Sequence, residues 1–186
     1  MHKCLLLLFA GLAGPAAARA ASRALVIDPG ESAIQIDVSS TLDSFVAHLQ
    51  NFEAAIVLDP IQGGVQAAHF RFLFSQLKTG EADRDEAMYR WEDIGAFPEG
   101  SFVLTSVAPA SGRRFLARGR LRLHGVEREV SFPFTVAVSG RLLAIDGETT
   151  LDTRDYGLPV FRKYLLLRVD SKVRVHFHLL GKLAGS

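Results

Sequence analysis

The sequence predicts an all-β fold, an antiparallel β-barrel of about eight strands with one short helix. Apolar and polar residues alternate along most of the 186-residue chain, which is typical of strands with one buried and one wet face. Only the segment 79–100 changes to a helical spacing. Each predicted strand carries an apolar face, and open sheet edges are prone to aggregation, so we expect the sheet to close on itself.

The first twenty residues predict a cleavable signal peptide. A positive start is followed by an apolar run from Cys4 to Leu12 and by an Ala-x-Ala pattern that ends at Ala20. The run is far shorter than the ~20 residues that span a bilayer, so we expect no transmembrane anchor. Residues 1–20 would be removed, and residues 21–186 would form one periplasmic domain.

Loss of this leader changes the composition of the working protein. Cys4 is the single cysteine of the chain, so the mature domain would have no disulfide. Of the 21 Lys and Arg residues, Lys3 and Arg19 lie in the leader, which leaves 19 basic against 20 acidic residues and a formal charge of −1. A nucleic-acid partner is therefore not expected, because its binding depends on clustered positive charge.

The alternation assigns side chains to the two faces of each strand. In "VQAAHFRFLF" (65–74) the phenylalanines share one face, whereas His69 and Arg71 lie on the other. "RFLARGRLRLH" (114–124), "REVSFPFTVAV" (128–138) and "SKVRVHFHLL" (171–180) divide in the same way. The interior candidates for ligand contact are Phe70, Phe72, Phe74, Phe102, Phe115, Leu121, Leu123, Phe132, Phe134 and Phe177.

The stretch "LRLHGVERE" (121–129) predicts a hairpin turn rather than a catalytic loop. The turn is expected at residues 124–127, where Gly125 can adopt the positive φ that such turns often need. The arginines of the preceding strand then lie on a solvated outer face, with a polyanion or headgroup surface as the less favoured alternative. These arginines are Arg114, Arg118, Arg120 and Arg122.

The segment "TGEADRDEAMYRWEDIGAFPEG" predicts the helix. Its apolar residues, Ala87, Met88, Trp91 and Ile94, recur at helical spacing. Asp83 with Glu86 is expected to form a capping box. The acidic cluster does not predict a calcium loop, because Ala87 and Met88 stand where further oxygen ligands and a glycine are needed.

The search for catalytic motifs gives mostly negative results. The sequence has no G-x-S-x-G, H-E-x-x-H, G-x-G-x-x-G or Walker pattern. His176 and His178 share one strand face, but that face is opposite the apolar row, so an outer or subunit-contact role is favoured over a metal site. His48 and His69 are isolated. The chain is accordingly predicted not to be an enzyme, with no catalytic residues and no metal.

The interior of an eight-stranded barrel is either filled by side chains or holds one small ligand. With 13 Phe against 1 Trp and 3 Tyr, the interior is expected to be apolar, which suits a lipid better than a sugar or nucleotide.

Several segments together resemble the YceI-like family of exported bacterial proteins. "LRLHGVEREVSFPF" resembles its L-T-I-H-G-V-T-R hairpin and "LKTGEADRDEAMYRW" its T-G-x-x-x-R-D helix segment. "FPEGSFVLTSV" and "LDTRDYGLP" resemble a strand and an R-x-D-F-G loop that follow in the same order. The resemblance covers residues 36–180. The chain departs from the family in "FVAHLQNFEAAIVLD", which keeps Phe45 and His48 but has no glycine of the V-x-G-x-F strand.

The resemblance implies a lipocalin-like barrel that binds a polyisoprenoid. Carried over position by position, it marks structural or ligand-lining residues near one barrel mouth: Arg84, Asp85, His124, Gly125, Arg154, Asp155 and Gly157. We therefore expect a periplasmic carrier of an apolar lipid, such as a polyisoprenoid, an isoprenoid quinone or an acyl chain, with no other cofactor. The alternatives are a ligand-free structural or stress-response barrel that acts through its outer face or a dimer, and a partner of a membrane redox system. A homodimer and transient membrane contact stay open.

Overall fold

The computed structural model describes residues 23–59, 64–112, 114–163 and 167–184. The predicted signal peptide, with Cys4 and the cleavage point after Ala20, lies outside the described residues.

The described residues form thirteen β-strands, one α-helix and two 3₁₀ turns. In chain order the strands are β1 (Arg23–Ile27), β2 (Ala33–Ser39), β3 (Ser44–Leu49), β4 (Glu53–Leu58), β5 (Val65–Leu73), β6 (Leu77–Lys78), β7 (Glu99–Pro109), β8 (Arg114–Leu123), β9 (Val126–Ser139), β10 (Leu142–Asp152), β11 (Arg162–Lys163), β12 (Leu167–Arg168) and β13 (Lys172–Leu183). The helix α1 spans Ala82–Glu92, and the 3₁₀ turns cover Phe74–Gln76 and Thr153–Tyr156.

Eight of these strands close into an antiparallel barrel, in the order β1-β4-β5-β7-β8-β9-β10-β13 and back to β1. The closing pair is β1 with β13, where Leu25 lies opposite Leu183. Closure removes the free edges that eight amphipathic strands would otherwise expose. The predicted fold class, an all-β antiparallel barrel of about eight strands with one helix, is thus confirmed.

One side of the barrel wall is extended by three further strands. The long strand β13 pairs with β1 near its end and with β2 over residues 174–178, so β1 and β2 lie end to end along it. β2 pairs with β3, and β3 pairs with the two-residue strand β6. Because β7 begins only opposite Leu73, no strand of the described chain pairs with the other edge of β6.

The two ends of the barrel differ in how they are packed. At the end with the β7–β8 and β9–β10 turns, side chains from four strands fill the interior, namely Leu25, Leu58, Phe115 and Leu143. We call this the filled end. The opposite end carries α1, the β2–β3 and β8–β9 turns and the segments 153–163 and 167–171, and we call it the helix end.

The β8–β9 hairpin is confirmed, with a tighter turn than the sequence suggested. Leu123 and Val126 form the last strand pair, so only His124 and Gly125 lie in the turn, and Val126 and Glu127 belong to β9. His124 (φ 47°) and Gly125 (φ 73°) both have positive φ, as a two-residue turn that follows the sheet twist requires.

The predicted helix is present, but its predicted capping box is wrong. The N-cap residue is Glu81, with no side-chain cap, and Asp83 lies inside the first turn. The carboxylate that organises this end is Asp85, which accepts hydrogen bonds from the backbone N–H and the hydroxyl of Thr79, both at 2.7 Å. Ile94 lies just beyond the helix, which ends at Glu92 with Asp93 in the left-handed conformation.

Candidate functional site

A cavity of about 680 Å³ occupies the barrel interior and extends to the helix end. Its wall within the barrel consists mainly of aliphatic and aromatic side chains from β2 to β13, with His69 and Thr149 as polar members. The barrel is therefore hollow over part of its length, since the packed core is continuous only at the filled end.

The structure brings nine of the ten predicted interior residues together around this cavity. These are Phe70, Phe72, Phe74, Phe102, Leu121, Leu123, Phe132, Phe134 and Phe177. The tenth, Phe115, points inward as predicted but does not line the cavity, because it stacks on Phe134 at a ring-centroid distance of 5.4 Å in the filled end.

Three of the lining rings lie with one edge against a glycine of the barrel wall. Phe72 covers Gly100, Phe102 covers Gly119 and Phe177 covers Gly147, each so closely that a Cβ on the glycine would overlap the ring. A ring that lies along the wall takes up less of the lumen than one that crosses it. These ring–glycine contacts help to keep the interior open.

The helix end of the cavity is formed by α1, by the β2–β3 turn and by residues of the segments 153–161 and 169–171. Arg84, Met88 and Trp91 line it from the helix, and Phe45 lines it from β3. The guanidinium carbon of Arg84 lies 4.4 Å from the centroid of the Phe45 ring, a cation–π contact that fixes α1 against the wall. The Trp91 Nε1 donates a hydrogen bond of 2.8 Å to the carbonyl of Pro159, which ties the helix to the segment after the second 3₁₀ turn.

α1 also covers the free edge of β6. The Tyr89 hydroxyl lies 3.0 Å from the carbonyl oxygen of Ser75 and 2.8 Å from that of Leu77, and it accepts a hydrogen bond from the Lys78 Nζ. A strand edge with unpaired carbonyls attracts foreign strands, so a side chain that occupies them protects it. The contact between α1 and β6 replaces the strand pairing that is missing there.

Glu92, at the end of α1, is the buried ionisable residue that lines the cavity. Its side chain is 3% exposed, and its Oε1 has no hydrogen-bond partner. Burial raises its pKa from 4.5 to about 8, because the apolar surroundings disfavour the charged form. The position of Glu92 four residues after Met88 places it on the same side of the helix, which is the signal in the sequence that could have identified it.

The remaining motif residues shape the helix end rather than the cavity wall. The Nδ1 of His124 lies 3.3 Å from the Tyr156 carbonyl, and its ring packs on Phe97 at 4.2 Å. Arg128 donates to the carbonyl of Asp155, and Gly157 (φ 80°) caps the 3₁₀ turn. Arg154 pairs with Asp152 through an Nε–Oδ1 hydrogen bond of 2.9 Å, which holds the pKa of Asp152 well below its usual range. Arg84 is the motif side chain that lines the cavity.

The polar residues of the outer face form surface contacts. Arg114, Arg118, Arg120 and Arg122 are exposed on β8, with Arg120 lying 3.7 Å from Glu127. His176 lies 3.0 Å from Asp37, and His178 lies 2.6 Å from Asp146, both outside the barrel. His48 and His69 are exposed as well. Within the described ranges no group of three or more His, Cys, Asp or Glu side chains is arranged to hold a metal ion.

A closed antiparallel barrel with an apolar cavity at a helix-covered end belongs to the class of barrels that are hollow enough to enclose a small ligand. The model of the YceI-like domain family matches residues 25–180. The chain belongs to this family, as its motifs suggested.

Solved structures share the fold. BcnA of Burkholderia cenocepacia is 21% identical with a TM-score of 0.74, covering 83% of this chain and 98% of its own. A polyisoprenoid binding domain from Saccharophagus degradans, implicated in plant cell wall breakdown, is 14% identical with a TM-score of 0.65, covering 88% and 98%. The YCEI protein of Campylobacter jejuni is 10% identical with a TM-score of 0.66, covering 75% and 85%. No curated protein matches the chain.

Among the helices of the described part, none has the length and apolar character that crossing a bilayer requires.

Proposed function

We propose that this protein binds an apolar lipid, such as a polyisoprenoid, an isoprenoid quinone or an acyl chain, and carries it in the periplasm. The observation that carries the proposal is the cavity of about 680 Å³ with its aliphatic and aromatic wall. Its volume falls within the range of about 300–1,000 Å³ that is typical of ligand sites. The description of the Saccharophagus degradans domain as polyisoprenoid binding supports this ligand class.

The energetics of such a site allow reversible carriage. A ligand of about 20 carbon atoms that gains ~0.3 kcal/mol per heavy atom binds with roughly 6 kcal/mol, a dissociation constant on the order of tens of micromolar. This affinity is high enough to retain part of the ligand during gentle purification. It is also low enough to release the ligand to an acceptor with a stronger site.

The periplasmic part of the proposal rests on the leader pattern of residues 1–20 and on the family resemblance. N-terminal sequencing of the protein exported from its native host should give a chain that begins near Ala21. An intact Met1, or an acylated Cys4, would contradict cleavage by signal peptidase.

The decisive experiment is extraction of the natively exported protein with organic solvent, followed by mass spectrometry of the extract. We expect a lipid in a substantial fraction of the molecules. The same protein stripped of lipid should take up a C20 isoprenoid in a titration followed by the fluorescence of Trp91, the single tryptophan, which lines the cavity. A protein that yields no lipid and binds no isoprenoid or acyl chain would refute the proposed function.

A further inference from the structure

Several polar side chains on α1 have hydrogen-bond partners within the protein, but a buried one does not. Asp85 accepts two hydrogen bonds from Thr79, the Tyr89 hydroxyl contacts two carbonyls, and Trp91 donates to Pro159. Glu92 is different. Its Oε1 is the one buried side-chain polar atom in the described part of the chain that has no partner.

Glu92 contributes nothing to the fold that an apolar residue would not supply better. A buried polar atom without a partner gives up its hydrogen bonds to water and receives none in return. The side chain nevertheless lines the cavity, and a rotation of its carboxyl group would present an oxygen to a bound molecule. An orphaned carboxyl at a ligand-sized cavity indicates a hydrogen-bond partner that the ligand supplies.

The carboxyl of Glu92 holds its proton to a higher pH than an exposed glutamate does. Burial raises the pKa of Glu92 to about 8, and this desolvation is the cause of the shift. A protonated carboxyl has an O–H that donates and a carbonyl oxygen that accepts. It can therefore pair with either a carbonyl or a hydroxyl group.

The charges that line the cavity disfavour an anionic ligand head. Besides Glu92, the acidic lining residues are Asp43, Glu81, Asp83 and Asp170. Among the described residues, the basic side chain that lines the cavity is Arg84, which packs on the ring of Phe45. A phosphate or carboxylate placed among these groups would meet more negative than positive charge.

We propose that Glu92 anchors the polar end of the cavity ligand, and that this end is a neutral oxygen-bearing group, a hydroxyl or a carbonyl, attached to an apolar tail. The tail occupies the barrel interior, and the oxygen lies against α1. This inference rests on the proposed function, since it assigns a head-group contact to the same cavity.

The test uses four saturated C20 isoprenoids that differ only at one end: phytanol for the hydroxyl, phytanal for the carbonyl, phytanyl phosphate for the anion, and phytane as the hydrocarbon. Binding to the stripped mature protein is followed by the fluorescence of Trp91 at pH 6.5. We expect phytanol and phytanal to bind about five- to tenfold more tightly than phytane, the gain of one buried hydrogen bond. The phosphate should bind more weakly than the alcohol.

Two variants and one control identify the residue. Glu92→Leu should remove the preference for the oxygen-bearing ligands while phytane binds as well as before. Glu92→Gln keeps a donor and an acceptor and should retain the preference. Glu86→Leu, on the exposed side of the same helix with 69% of its side chain exposed, should behave as the parent protein. Thermal unfolding of each variant checks that the fold is intact.

The outcomes separate the anchor from the cavity. If all four ligands bind equally to the parent protein and to Glu92→Leu, or if the phosphate binds best, the anchor assignment is wrong and the lipid-binding function stands. If none of the four binds, the proposed function itself fails.

Discussion

Phe132 lies at the boundary between packed wall and open lumen. Its ring is 5.5 Å from that of Phe102 and 5.7 Å from that of Phe177, and one side of it faces the cavity. Phe134, two residues along the same strand, is only 5% exposed and stacks on Phe115. The two residues are both phenylalanines of β9, but more of the Phe134 side chain is packed against neighbouring side chains.

This difference predicts unequal costs of truncation. Phe134→Ala should cost about 3 to 5 kcal/mol, the usual range for a packed phenylalanine, whereas Phe132→Ala should cost less in the lipid-free protein. Phe132→Trp should fold normally and lose bound lipid, because the larger ring enters the lumen. Denaturant unfolding and lipid extraction of the three variants measure both effects. Equal losses for the two alanine variants would indicate a filled interior at Phe132.

The buried carboxyl of Glu92 predicts how stability depends on pH. The folded protein holds the proton up to a pKa of about 8, while the unfolded chain releases it near 4.5. Between these values the native state binds more protons, so stability falls as pH rises through this window. The loss due to this group should be several kcal/mol, at most about 5, since each unit of difference between the two pKa values contributes about 1.4 kcal/mol.

Urea unfolding at pH 5, 7 and 9 measures the effect in lipid-free protein. Glu92→Gln should be nearly as stable at pH 9 as at pH 5, once the contributions of other groups are removed by comparison with Glu86→Gln. Parallel pH profiles for the parent protein and Glu92→Gln would show that the carboxyl is not buried in its neutral form.

The residues of the site could be predicted only in part from the sequence. Phe72 and Phe132 were placed inward because strand alternation depends on local order alone. Phe115 follows the same alternation but lies in the filled end. The alternation of a strand shows whether a side chain points inward, but it does not show how far along the barrel axis that side chain lies. Glu92 follows from the helical spacing of Met88, but a glutamate is expected at the surface unless its partners are known.

At the level of elements, the ring–glycine contacts decide the width of the cavity. The three atoms nearest to a Cβ at Gly100 belong to the side chains of Phe72 and Leu123, whereas a Cβ at Gly119 would lie 2.7 Å from the backbone oxygen of Val103. A flexible ring can move away, but the backbone of a central strand cannot do so without disturbing its pairing.

Gly100→Ala is therefore expected to fold with a loss of about 1 kcal/mol and to push the ring of Phe72 into the lumen. It should accept shorter ligands than the parent protein, as measured by the mass of extracted lipid. Gly119→Ala should cost more stability, up to about 3 kcal/mol. An unchanged ligand profile in Gly100→Ala would mean that the ring stays against the wall.

The helix illustrates what element prediction missed. Its existence and apolar spacing were correctly predicted, because period 3.6 is a local property. Its start was wrong because Asp85, rather than Asp83, carries the organising carboxylate, and the partner of Asp85 is Thr79 in the segment before the helix. The end-to-end arrangement of β1 and β2 along β13 was not predicted either. It depends on which part of β13 each strand pairs with, and the alternation within a strand does not specify that.

For the whole molecule, ring closure separates an apolar inside from a polar outside. The closed ring was predictable because every strand had an apolar face to bury. The open lumen was not, because the space left by opposing side chains depends on ring orientation and barrel size together. The arginines of β8 lie on the outside of this division.

This separation predicts that outer charges and inner binding are independent. Arg120→Gln together with Arg122→Gln should change the free energy of unfolding by no more than about 0.5 kcal/mol, because the Arg120–Glu127 pair is largely exposed. The amount of extracted lipid should equal that of the parent protein. A large loss of lipid would show that the arginine row holds an anionic headgroup, in agreement with the alternative considered from the sequence.

The contact between α1 and β6 consists of side-chain hydrogen bonds rather than strand pairing. Neighbouring strands of the ring are joined by ladders of main-chain hydrogen bonds, whereas here the hydroxyl of Tyr89, which has one proton, serves both Ser75 and Leu77. Displacing the helix at this point breaks few bonds and leaves the eight-strand ring intact. For the proposed carrier, the residence time of the lipid and the lifetime of the folded barrel would then be set by different parts of the molecule. Substitutions at this junction are expected to change how fast the lipid is exchanged, and substitutions at the filled end are expected to change how long the protein stays folded.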